Sequence, residues 1–110
     1  MNKFISVPLL LSLTACDNAG TSDFDLVCSY FSMLEKRMTV DTVTTGNKFN
    51  FINDLVDKNL TQESSARQAW RAVVSYEPAT GRYELYKEAA EASLKSSWSC
   101  EPMERLYKQI

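Results

Sequence analysis

Three cysteines, a scatter of carboxylates and a concentration of tyrosine and tryptophan are what this 110-residue chain offers for chemistry. Histidine is absent. Ser-His-Asp and Cys-His nucleophile systems need an imidazole that accepts a proton near neutral pH, so both classes are excluded. Histidine-ligated zinc and haem are excluded with them. The three glycines, Gly20, Gly46 and Gly81, lie far apart, whereas a phosphate-cradling loop needs clustered glycines to bring backbone N–H groups to the ligand. Lys95 follows Ser93 and precedes Ser96, but no Ser-x-x-Lys dyad is present. Asp41, Asp54 and Asp57 lack the calcium-loop spacing. Carboxylates remain as the candidate acid–base groups: Glu35, Asp54, Asp57, Glu63, Glu77, Glu84 and Glu88. Glycoside hydrolysis needs two of them at a set separation in a walled cleft. Most fall instead on the polar faces of their helices, which favours a solvated surface and a non-enzymatic protein needing no cofactor or metal.

Cys16 closes a distinctive leader. Lys3 and the amino terminus supply positive charge, and Phe4 to Leu13 form an apolar run. As a helix that run is about 15 Å long, half the ~30 Å hydrocarbon core, so it is too short to span a bilayer. It ends Leu13-Thr14-Ala15-Cys16. These residues resemble a lipobox, the cleavage motif of bacterial lipoproteins: a branched apolar residue, two small residues, then cysteine. The resemblance implies a signal peptide over residues 1–15, removed on export, and diacylglycerol on Cys16. Two or more acyl chains anchor stably, at roughly 0.8 kcal/mol per buried CH₂. Residues 16–22 are small and polar, as suits a flexible tether. Asp17 after the cysteine resembles an inner-membrane retention signal. The expected location is therefore the bacterial cell envelope, with the inner membrane, facing the periplasm, favoured over the outer.

Cys28 and Cys100 are then an even pair in an oxidising compartment, where a structural disulfide is the default. Neither has a CxxC neighbour or a flanking basic cluster to activate a thiol.

The elements that must position these groups follow a helical period almost throughout. Phe24, Val27, Cys28, Phe31, Leu34 and Met38 mark one face of a first helix, with Ser22 as its N-cap, acids in its first turn and bases in its last. Thr39 to Asn47 is β-branched and ends in Gly46-Asn47, an extended connection. A second helix covers Lys48 to Asn59, and a third, capped by Thr61, stops near Glu77-Pro78. A fourth runs from Arg82 to Ser97, with Thr80 as its cap and Glu91–Lys95 as an i,i+4 pair. Met103 to Lys108 form an optional short fifth helix with Pro102 at its start. The expected fold is all-α: a small antiparallel four-helix bundle over residues 23–110, stapled by one disulfide. The expected core comprises Phe24, Phe31, Leu34, Phe49, Ile52, Leu55, Trp70, Val73, Val74, Tyr86, Ala90 and Leu94.

Without the leader, 11 basic residues face 14 acidic ones with no basic patch, which argues against nucleic-acid binding. Tyrosine and tryptophan suit interfaces because they combine large area with a polar tip. Tyr76, Tyr83 and Tyr107, with Arg82 and Arg105, are the candidate contact patch. The expected function is a membrane-anchored, non-catalytic module that binds another envelope protein, resembling exclusion proteins or secretion accessory subunits in architecture alone. The alternatives are an inhibitor of an envelope hydrolase such as lysozyme, and a passive structural lipoprotein.

Overall fold

The structure is a computed structural model that describes residues 22–40 and 45–108. The expected signal peptide, Cys16 and all of the tether but Ser22 lie outside the described residues. Five α-helices follow: α1 (Asp23–Met38), α2 (Thr45–Asn59), α3 (Ser65–Val73), α4 (Arg82–Leu94) and α5 (Glu101–Lys108), with a 3₁₀ turn at Ala79–Gly81 before α4.

Helix α1 forms as its sequence dictates. Ser22 is extended and accepts a hydrogen bond from the Asp25 N–H, satisfying one donor of the open first turn. Asp23 and Asp25 lie at the positive end of the helix dipole, Lys36 and Arg37 at the negative end. Its inward stripe is Phe24, Val27, Tyr30, Phe31 and Leu34.

Several boundaries differ from expectation. Helix α2 begins at Thr45 rather than Lys48. Helix α3 is capped by Ser64, whose hydroxyl accepts from the Arg67 N–H at 3.3 Å. The expected cap, Thr61, opens a preceding turn through its carbonyl to Ser64 N–H. Helix α3 also ends at Val73, not near Glu77. Thr80 makes no capping bond to α4, whose N-terminus is carried by the 3₁₀ turn. Helix α4 stops at Leu94, because Lys95 turns left-handed at φ 58° and donates to the Glu91 carbonyl. This diverts Lys95 from the expected ion pair, and Glu91 pairs with Lys87 at 3.1 Å instead.

The described residues form five packed helices, the optional fifth among them. Helix α5 is a full packing member: α1 packs on α2, α3 and α5, and α4 packs on α3 and α5. Met103, Leu106 and Tyr107 of α5 are all buried. Helices α1 and α3 run in the same direction. Their starts meet near the end of α4, where Ser22, Phe24, Ser65, Ala66 and Leu94 line one recess. Farther along, Phe31 meets Trp70 edge-on. The end of α1 thus lies with the start of α4, the end of α3 and the end of α5.

The core is aromatic. Phe31, Trp70, Phe49 and Tyr107 form one linked group, and Phe24, Tyr86 and Trp98 another. Each buried indole N–H finds a carboxyl or amide oxygen: Trp70 donates to Asn53 Oδ1 at 2.6 Å, Trp98 to Asp25 Oδ1 at 2.9 Å. Of the expected core, Phe49, Leu55, Val74 and Leu94 are only partly buried. Their places are taken by Val27, Val56, Ala66, Tyr83, Trp98 and the α5 residues.

Cys28 and Cys100 are joined, tying the second turn of α1 to the residue before α5. The bond closes a loop of 72 residues, worth roughly 4 kcal/mol in the chain-entropy model. A Cys28→Ser/Cys100→Ser double variant is expected to lose about that much in urea unfolding, and a loss under 1 kcal/mol would refute the assignment. Lys95→Gly is expected to raise stability by up to about 1 kcal/mol, because glycine adopts the left-handed cap without a Cβ penalty. A lowered urea midpoint would show that the cap carries no strain.

Candidate interaction surface

The five residues of the expected contact patch do not share a surface. Arg82 is 8% exposed and Tyr83 and Tyr107 are buried; only Tyr76 (42% exposed) and Arg105 reach solvent. The expectation failed because the first turn of α4 faces α5, so that these side chains seal one helix against the other.

The interior of this pole is a polar knot. Arg82 Nε donates to the Tyr76 carbonyl at 2.7 Å and its Nη2 to Glu77 Oε2 at 3.1 Å. The guanidinium lies over the Phe49 ring, 5.6 Å from its centroid. Phe49 in turn stacks on Tyr107 at 6.0 Å. The Tyr107 hydroxyl is buried, and the Arg82 charge acts on it. The Tyr83 hydroxyl accepts from the Cys100 N–H at 3.0 Å, so the start of α4 holds the start of α5 beside the disulfide. The turn that delivers Arg82 contains a cis Glu77–Pro78 peptide. Gly81 sits in it because a Cβ there would stand 3.1 Å from the Tyr76 ring.

Several other charged groups are paired. Arg105 forms a two-pronged bond to Glu35 at 3.0 and 2.9 Å, bracing α5 on α1. Asp57 receives Arg71 at 2.8 Å and Arg67 at 3.3 Å. The hydrogen bond from Arg71 holds its carboxyl below the usual range. Glu91 accepts the Trp98 N–H and Lys87, which lower its pKa in that order. Glu77 is committed to Arg82.

Two carboxylates, Glu84 and Glu104, line an open cleft of about 210 Å³ with Thr80, Tyr83, Tyr107 and Lys108. Lys108 reaches Glu104 at 3.4 Å. Glu84 is exposed and Glu104 partly so, whereas a general acid working at neutral pH needs burial to hold its proton. Among the described residues no group of three histidine, cysteine or acidic side chains could hold a metal ion. No described helix is long and apolar enough to cross a membrane.

Among the described residues, the large apolar side chains that solvent sees are Met33 at 47%, Val40 at 77% and Tyr76 at 42% exposure. Val40 follows the end of α1 and Tyr76 the end of α3, so both lie at the pole away from Ser22. The sequence reading missed Val40, since its β-branched neighbours pointed only to a connection. Comparison with protein-family models, characterised proteins and solved structures returned no match.

Burial pushes the Tyr86 and Tyr107 hydroxyls above the ordinary tyrosine range; near Tyr86 the Asp23 charge adds to this, and near Tyr107 Arg82 opposes it. Unfolded tyrosine ionises near pH ~10. The folded pKa values are the higher ones, so these groups leave stability untouched below that pH and reduce it as pH rises above it. Phenolate absorbance from Tyr86 and Tyr107 is therefore expected only as the helical circular dichroism is lost. Ionisation of all five tyrosines with the helical signal intact would contradict the burial described here.

Proposed function

We propose that the mature protein is a lipid-anchored module of the bacterial envelope that binds another envelope protein and performs no catalysis. The observation that carries this reading is the division of the domain into two poles. Ser22, the first described residue, lies at one. From Cys16 to Ser22 an extended chain reaches at most about 20 Å, so lipid on Cys16 keeps that pole near the bilayer. Val40 and Tyr76 lie at the other, where a partner has access. Exposed apolar and aromatic side chains on a rigid scaffold are the usual anchors of a protein contact. The openness of the one two-carboxylate cleft described, with Glu84 exposed in it, supports the non-catalytic half of the reading. Asp17 favours retention at the inner membrane.

Two measurements test it. The processed protein is expected to begin at Cys16 with the mass of a diacylglycerol adduct, and Cys16→Ala to keep its leader and lack that mass. Lipidated wild type extracted from envelopes is expected to retain a stoichiometric partner that a Val40→Ser/Tyr76→Ser variant loses. Equal retention by both would place the contact elsewhere on the domain.

A further inference from the structure

Helix α1 carries a second seven-residue repeat on the side away from its five buried residues, and it touches the core only through Leu26. Leu26, Met33 and Val40 recur every seven residues, with Ser22, Ser29 and Lys36 between them at alternating steps of four and three. This is the spacing of a two-helix seam. On the helix Ser29, Met33 and Lys36 are exposed and Leu26 is half-buried against the core; Ser22 is the cap before the helix, half-buried, and Val40 lies exposed in the turn after it. Helices α2, α3 and α5 pack on the rest of α1.

We propose that this face pairs with α1 of a second copy of the chain, in antiparallel orientation. The charges of the helix select both the occupant and the direction. Its first turn holds Asp23 and Asp25, its last Lys36 and Arg37. A parallel pair would set acid against acid and base against base, and align the two dipoles unfavourably. An antiparallel pair centred at the level between Ser29 and Tyr30 sets Leu26 against Met33 of the second copy. It also brings Asp23 beside Lys36 of that copy, twice over by symmetry. One surface that is complementary to itself is what a two-fold interface requires, and the reversed dipoles add to it. Ser29, small and central, lets the helices approach.

The stripe is short, well below the ~800 Å² per partner of a standard stable interface. Pairing is therefore weak in dilute solution and gains from confinement of both copies on one membrane, which raises their effective concentration. In that respect the proposal rests on the lipid anchor.

The test is oxidative cross-linking of the full chain in membranes, with single cysteines placed on the stripe and the natural disulfide intact. Ser29→Cys is expected to give at least fivefold more covalent dimer than Lys36→Cys, since only the central position meets itself in an antiparallel pair. Equal, efficient cross-linking at both sites would mean a parallel pair and overturn the proposal; so would its absence at both. Asp23→Lys and Lys36→Asp are each expected to reduce the Ser29→Cys dimer severalfold, and together to restore it. Failure of the double reversal to restore it would remove the charge argument. The mass of the processed protein reports separately on the anchor. Where the lipid mass is absent, the same variants are cross-linked as purified protein at millimolar concentration, and no dimer there overturns the pairing as well.

Discussion

The covalent bond between Cys28 and Cys100 brings the last turn-forming segment of the chain onto the first helix, and the rest of the packing is arranged around that closure. Because Cys28 lies in the second turn of α1, the segment after Cys100 must start near the same level. It can bury Met103, Leu106 and Tyr107 only by running along α1 toward its far end. The Arg105–Glu35 contact lies on that path, as does the ring contact between Phe31 and Tyr107. Helix α5 thus becomes a wall of the core rather than an appendage.

Around this closure the polar groups share a common task. Asp25 and Glu91 hold the indole N–H and backbone N–H of Trp98, so the segment between α4 and α5 lies down on the start of α1. Tyr83 holds the Cys100 N–H. Tyr86 donates to the Ala66 carbonyl at 3.3 Å, joining α4 to α3. At the opposite pole Arg82 gathers the Tyr76 carbonyl, Glu77 and the Phe49 ring. Each bond satisfies a polar group that burial would otherwise leave unpaired, at a cost of about 1–3 kcal/mol for each. The aromatic residues are numerous because a domain this small must obtain much buried area from few side chains.

This use of polar and aromatic side chains explains where function can reside. Tyrosine and arginine are amphipathic, and in this chain the same residue types serve as seals between helices and as candidates for contact. Arg82, Tyr83 and Tyr107 are seals. Among the described residues, the large apolar groups left to solvent are those at helix ends or on the outer face of α1.

The helical period of α1, its Ser22 cap, the all-α class and the pairing of Cys28 with Cys100 were legible in the sequence. These depend on neighbours three or four residues apart, or on the arithmetic of two cysteines. The lipobox reading rests on residues 13–16 and belongs to the sequence alone. Other features were decided only by the tertiary structure. Ser64 caps α3 in place of Thr61, although both residue types suit the task, because the chain turns once more before the helix starts. Lys95 ends α4 because the chain must bend back to lay Trp98 on Phe24 and Tyr86. The burial of Arg82 and Tyr83 depends on where α5 lands on the start of α4, and that of Tyr107 on which face α5 turns to the core. A local pattern states which face of a helix is apolar; which amphipathic residues are covered depends on which other helix arrives there, and that is set by chain closure and the volume left to fill.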